Sequence, residues 1–236
     1  MRQAGKITAA ARNLAGKMVT AGTTTQEIDK AVHDFIISQG AIPTFLGYSG
    51  YPASICISVN DELIHGIPGN RVLRDGDVVS IDVGAYIDGF HGDNAYTFAC
   101  GEVSEDAKRL MAATKHSLEL AIEQAVKGNR IGDIGNAVQT YIEAQGFSVV
   151  RDFVGHGIGR DLHEAPEVPN YGRAGRGPRL VPGMTIAIEP MVNQYGYGVK
   201  VLDDDWTTVT KDGGLSAHFE NTVLITDEKP VILTSV

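Results

Sequence analysis

Four carboxylates and one histidine lie where the chain is otherwise apolar or glycine-rich. Asp82 falls in Val78-Val79-Ser80-Ile81-Asp82-Val83, Asp93 in Phe90-His91-Gly92-Asp93 and His156 in Gly155-His156-Gly157-Ile158-Gly159. Glu189 falls in Ile186-Ala187-Ile188-Glu189-Pro190-Met191, and Glu220 in Ala217-His218-Phe219-Glu220-Asn221. Ionised carboxylates in strongly apolar strands lose hydration at considerable cost, so such groups are normally paired, hydrogen-bonded or bound to a cation. Few basic residues lie near Glu189 or Glu220 in sequence, which disfavours simple ion pairs. Oxygen donors with one imidazole make a hard site suited to Mn²⁺, Fe²⁺, Co²⁺ or Zn²⁺, unlike a cysteine-rich structural zinc. His163 follows His156 at a spacing that does not put two ligands on one helical face, so one histidine is free to bind metal while the other meets substrate.

The elements that must carry these residues are legible nearby. Asp88-Gly89 is a strong two-residue hairpin signal; it pairs Ile87 with Phe90 and Asp82 with Ala95. Asp93 then becomes the diagonal neighbour of Asp82 on one face, within roughly 7–8 Å. Carboxylates at that separation can share metals ~3.5–4 Å apart. The glycines flanking His156 are expected to let the backbone approach a ligand and leave the imidazole projecting into a cleft. Pro190 should end or bulge the strand at Glu189, while Glu220 is expected within a strand continuing through Thr222-Val223-Leu224-Ile225. His33, His91, His116 and His218 are read as structural, Arg173, Arg176 and Arg179 as a solvated basic loop, and Asp203-Asp204-Asp205 as an acidic turn.

Residues 22–40 recur at 128–146, pairing Gly22 with Gly128, Ile28 with Ile134, Val32 with Val138, Ile36 with Ile142 and Gly40 with Gly146. Each copy has the stripe of an amphipathic helix closed by glycine, and Thr24 with Glu27 fits a capping box. A helix precedes each copy, one marked by Ile7, Ala11, Leu14 and Met18, the other capped by Ser104 and running to about Val126. This predicts one domain over 1–236 made of two related halves, about 1–103 and 104–236, with metal ligands meeting at the seam.

Hydrophobic residues at 43% allow a substantial core, and 28 glycines imply many tight turns. The balance of 20 basic against 29 acidic residues argues against nucleic-acid recognition and attachment to anionic membrane. No apolar run nears the roughly 18 residues of a membrane span. Charges interrupt the N-terminal apolar residues, so no secretory leader is expected. With only Cys56 and Cys100, reduced thiols in the cytoplasm are the simpler expectation.

Taken with Glu62-Leu63-Ile64-His65-Gly66-Ile67-Pro68, Gly89-Phe90-His91-Gly92-Asp93 and His163-Glu164, these motifs resemble the type I methionine aminopeptidases along essentially the whole chain. The resemblance implies an α+β pita-bread fold, pseudo-symmetric halves of helices packed on a curved antiparallel sheet. It implies two divalent ions (Co, Mn, Fe or Zn) on Asp82, Asp93, His156, Glu189 and Glu220, with substrate contacts from His65 and His163. It places the methionine pocket on Tyr48, Tyr51, Cys56 and Trp206, with Phe45 and Leu162 where some members carry cysteine and phenylalanine. The long insertion of type II enzymes and the zinc-finger extension of eukaryotic type I enzymes are absent from this sequence, which suggests a bacterial-type enzyme.

The expected reaction removes N-terminal methionine from peptides and nascent chains whose second residue is small. Water held between the ions, acidified to hydroxide, would attack the first peptide carbonyl. Glu189 would carry its proton to the leaving amine, His163 would donate to the carbonyl oxygen, and His65 would contact the peptide nitrogen. A cytoplasmic monomer with transient ribosome association is implied. The alternatives are a prolidase or aminopeptidase P, which usually carries a further N-terminal domain, and a catalytically silent pita-bread binding protein.

Overall fold

The computed structural model of the protein describes residues 1–235. Four helices cover the outside: α1 (Arg2–Met18), α2 (Thr25–Ser38), α3 (Glu105–Gln124) and α4 (Ile131–Ala144). Thr24 starts α2 as expected: Glu27 N donates to Thr24 Oγ1 at 3.2 Å, and Thr24 N donates back to Glu27 Oε2 at 2.8 Å. Ser104 caps α3 through Ala107 N, and that helix stops just short of Val126. Helices α2 and α4 are both 14 residues long and lie at the predicted offset. Each ends before a left-handed glycine, Gly40 (φ 72°) and Gly146 (φ 83°), a conformation that costs glycine alone no Cβ clash.

The expected α1 stripe is rotated toward smaller residues. Ala4, Ile7, Thr8, Ala11 and Ala15 are buried, whereas Leu14 and Met18 are only partly so. The reason is close approach to the Val78–Ile87/Phe90–Ala99 hairpin, since a Cβ on Gly92 would stand 2.9 Å from Ala4 C, Gly5 N and Thr8 Oγ1. In α2 the fully buried Ile28, Val32 and Ile36 each contribute roughly 1.5–3 kcal/mol of hydrophobic stabilisation. They pack with Ile55, Ile57, Val79, Ile81 and Val83 in one core. Ile134, Val138 and Ile142 of α4 pack with Ile186, Ile188, Val192, Phe219 and Val223 in another.

All strand pairs between these cores are antiparallel, and hydrogen bonding divides them into four ladders. The first contains Ile55–Val59, Val78–Ile87 and Phe90–Ala99; another contains Gly155–Gly157, Thr185–Ile188 and Asn221–Leu224. Met191–Asn193 and Ser216–His218 belong to a third ladder. Two short breaks, Glu189-Pro190 and Phe219-Glu220, each carry the chain from one of these last two ladders to the other, and they lie side by side because Ile188 pairs with Asn221 and Met191 with His218. Glu220 is thus not inside a continuing strand, as the apolar run suggested. It occupies a break, where its side chain escapes the strict in-and-out alternation of a strand.

Side chains and backbone stitch the Phe90–Ala99 strand to this second break. Thr222 Oγ1 accepts from Asp93 N at 3.1 Å and donates to Asp93 O at 2.8 Å. Glu220 N donates to Ala95 O at 2.9 Å, and Asn94 Nδ2 donates to Glu220 O. Thr97 Oγ1 accepts from His218 N at 2.9 Å and donates to His218 O at 2.8 Å. Among the described residues no helix is long and apolar enough to cross a membrane.

Candidate metal centre

The Asp88-Gly89 turn sets the geometry of the acids. Both residues have positive φ, 52° and 82°, the two-residue turn that matches strand twist. The register follows as expected: Ile87 opposes Phe90, Asp82 opposes Ala95, and Asp93 opposes Gly84, diagonal to Asp82. The neighbouring Ile55–Val59 strand sets Cys56 beside Asp82. From the other side, the adjacent breaks deliver Glu189 and Glu220, and Gly155–Gly157 delivers His156.

These residues and all the expected substrate contacts line one cavity of about 180 Å³. Asp82, Asp93, His156, Glu189 and Glu220 form one end. Phe45, Tyr51, Cys56, Leu162 and Trp206 pack together as the cavity's apolar wall, which meets the acids where Cys56 lies beside Asp82; His163 stands against both His156 (4.3 Å) and Tyr48 (5.3 Å), and His65 against Trp206 (6.2 Å). Tyr51 and Trp206 meet edge to face at 5.0 Å, and Tyr51 OH donates to the carbonyls of Ile55 and Gly66. Its phenol is thereby anchored in the wall, leaving the ring to face an apolar ligand.

One ligand atom each from Asp93, His156 and Glu220 lies within 4.8 Å of the others. His156 Nε2 stands 3.8 Å from Asp93 Oδ2 and 3.6 Å from Glu189 Oε1. His156 Nδ1 lies 2.9 Å from Gly157 O; donating there leaves Nε2 as a lone pair turned to the acids. Among the described residues the ion-pair partners of these acids are imidazoles, with no lysine or arginine. Asp82 Oδ1, Asp93 Oδ1 and Glu220 Oε1 are buried without any hydrogen-bond partner. Orphaned acceptors of this kind are costly in a dry site, and a divalent cation satisfies them. The donor set therefore fits a hard metal ion.

Without a cation, burial governs the titration. It pushes the Asp82 carboxyl up to about 6 and that of Glu189 to about 7, while Asp93 and Glu220 go well above the usual carboxylate range. Mutual repulsion adds to burial at Asp93 and Glu220. The imidazoles move oppositely for the same reason: burial lowers His156, His163 and His218, and takes His65 down to about 4. His65 also holds a left-handed backbone, φ 59°, a strained conformation found preferentially at functional positions.

The glycines around His156 serve the protein instead of a ligand. A Cβ on Gly155 would strike Ala187 O, one on Gly157 would strike Ala165 O, and one on Gly159 would meet Glu164 Oε1 at 2.9 Å. They admit neighbouring backbone, and that packing aims the imidazole. The acidic turn also has a local task, since Asp204 Oδ1 accepts from Trp206 N and Thr207 N and so holds the Trp206 loop. Arg173, Arg176 and Arg179 are exposed as expected. His33, His91 and His116 bond to Ser54, Thr44 and Glu119. His218 departs from the structural reading: its buried Nε2 faces Glu189 Oε2 at 3.5 Å. The available signal was its place in the Ala217-His218-Phe219-Glu220 run, at the last strand position before the break that carries Glu220. Ser49, beside Tyr48, also lines the cavity, and nothing in its sequence setting marks it.

Residues 1–227 match Metallopeptidase family M24. The chain belongs to that family. Membership makes it a metal-dependent hydrolase, consistent with the acid cluster. The methionine aminopeptidase of Clostridium perfringens is 56% identical over 236 residues, spanning 100% of this chain and 95% of that one. The crystal structure of methionine aminopeptidase from Thermotoga maritima superposes with a TM-score of 0.99 at 44% identity, covering 100% of this chain and 95% of that chain. Prolidase from Pyrococcus horikoshii shares the fold at a TM-score of 0.78 and 23% identity, with 60% of that chain covered. The architecture is the expected pita-bread fold.

Proposed function

We infer that the chain is a methionine aminopeptidase, removing the first residue of peptides and nascent proteins. The observation carrying this reading is the junction within one cavity of an acid and imidazole cluster with an apolar wall containing a thiol. An unbranched, polarisable methionine side chain suits that wall. We further propose that the substrate's second residue must be small, that the enzyme acts as a monomer in the cytoplasm, and that it meets the ribosome transiently. Residues 1–236 are proposed to act as a single catalytic domain of two related halves.

Asp82, Asp93, His156, Glu189 and Glu220 are proposed to hold two divalent ions of the Co, Mn, Fe or Zn class. When bound, such ions supply positive charge that acidifies water and polarises a peptide carbonyl. Glu189 would take up the proton given up by the attacking water and deliver it to the departing amine. Tyr48 OH lies 2.7 Å from His163 Nδ1. Donation from the phenol leaves the proton on Nε2, where His163 can donate to the carbonyl oxygen as charge develops. His65, kept neutral by burial, contacts the peptide nitrogen side. The apolar wall excludes water from the methionine side chain.

The test compares release of the first residue from Met-Gly-Met-Met, Leu-Gly and Ala-Pro peptides, with divalent cation and with chelator. Cation-dependent preference for Met-Gly-Met-Met is expected, with leucine disfavoured by about 1–3 kcal/mol. Preference for the proline peptide would instead identify a prolidase or aminopeptidase P, and no cleavage with any cation would identify a silent binding protein.

A further inference from the structure

His218 has no task in the reaction above, yet it is only 2% exposed and its Nε2 lacks a hydrogen-bond partner. Its backbone is pinned independently of the ring: Thr97 Oγ1 bonds both His218 N and His218 O, and His218 pairs with Met191 in the ladder. The imidazole is thus delivered to one place, 3.5 Å from Glu189 Oε2.

Glu189 is held from two other directions. Its carbonyl accepts from Asn170 Nδ2 at 2.9 Å, and its Oε1 lies 3.6 Å from His156 Nε2. With Nδ1–H of His156 directed at Gly157 O, that nitrogen offers Oε1 a lone pair and no proton. Oε1 and His156 Nε2 therefore face the cavity as two acceptors, and Oε2 is left with His218 as its imidazole neighbour. The 3.5 Å separation exceeds an ordinary N–H···O bond by about 0.5 Å, a gap that a small rotation of the carboxylate closes. Packing alone would not select histidine at this position, because a hydrocarbon fills the same space without stranding a polar nitrogen.

We propose that His218 is a positioning residue whose Nε2–H donates to Glu189 Oε2, turning Oε1 toward the cavity beside His156 and Asp93. It acts on the metal site through Glu189 and touches neither substrate nor reacting atoms. The inference rests on the reading of Glu189 as a metal-site carboxylate. Partners of this kind fix a ligand's orientation, and their loss typically weakens metal binding 10–100-fold.

The first measurement uses the Zn²⁺-loaded wild-type protein labelled with ¹⁵N-histidine, in which long-range ¹H–¹⁵N spectra report the tautomer of each ring. His218, assigned by the signal missing from H218Q, should carry its proton on Nε2; an unprotonated Nε2 overturns the proposal. The second is calorimetric titration of Zn²⁺ into metal-free wild type, H218L and H218Q. H218L should raise Kd about 10–100-fold. H218Q should stay within about threefold of wild type, because the glutamine amide nitrogen can occupy the place of Nε2. Wild-type Kd in H218L, or H218Q as weak as H218L, overturns the positioning role. Failure of wild type to take up Zn²⁺ would instead overturn the metal reading beneath it. Should H218L not fold, the tautomer and the H218Q titration decide the matter.

Discussion

Replacing Glu189 with glutamine should make the metal-free protein more stable at alkaline pH. Burial lifts the folded-state carboxyl to about 7, against an ordinary value of 4.5. Between those values the folded chain keeps a proton that the unfolded chain has released. The stability this group contributes is therefore complete below pH 4.5 and drains away as pH rises through 7. Above that window the deficit is about 3 kcal/mol, at 1.36 kcal/mol for each pH unit of displacement. Glutamine has nearly the same shape and never ionises, so it avoids the deficit. At about 2–4 °C per kcal/mol for a chain of this size, metal-free Glu189→Gln should melt about 6–12 °C above the metal-free parent at pH 8. The difference should close near pH 4, where both side chains are neutral. Saturating divalent cation should reverse the order, because it binds and stabilises the parent more strongly. Scanning calorimetry at pH 4, 6 and 8, with chelator and then with cation, tests all three arms. Equal melting at pH 8 without metal, or a gap that persists unchanged at pH 4, would refute the account of Glu189 as a buried, uncompensated acid.

His163→Ala should retain the parent's metal stoichiometry and lose mainly kcat, by about 10²–10³-fold, as for a removed donor to a developing oxyanion; loss of a metal equivalent, measured by elemental analysis, would reassign the residue. Gly92→Ala places a methyl 2.9 Å from Ala4, Gly5 and Thr8, so α1 must shift from the hairpin, and urea denaturation should show a loss of about 1–3 kcal/mol. An unchanged midpoint would mean that the packing there is looser than the geometry indicates. Chelation should abolish release of N-terminal methionine and re-addition of a divalent cation should restore it; full turnover in a metal-stripped sample would end the metal reading.

Local chemistry in the sequence was enough for several elements. Asp88-Gly89 allows one tight turn, and the turn alone sets the register that leaves Asp93 diagonal to Asp82. Thr24 with Glu27 and Ser104 with Ala107 start helices through contacts three residues away. The equal lengths of α2 and α4 follow from repeated stripes and repeated left-handed glycines. The acids stood out because a carboxylate among apolar residues needs a partner, and that need is visible without coordinates.

Tertiary structure decided what those partners could be. Glu189 and Glu220 lie side by side only because two strand breaks, 31 residues apart, fall opposite one another in pairing that no local signal specifies. The glycines of 155–159 are dictated by the carbonyls of Ala187 and Ala165 and the carboxylate of Glu164, contacts made by the pairing of Gly155–Gly157 with Thr185–Ile188 and Glu164–Val168 that a sequence pattern cannot name. His218 looked like any strand histidine until its nitrogen was found facing Glu189 with no other partner. Residue type and spacing reveal which groups are costly to bury; only the packed fold reveals which groups meet them, because burial and long-range register arise from the whole chain at once.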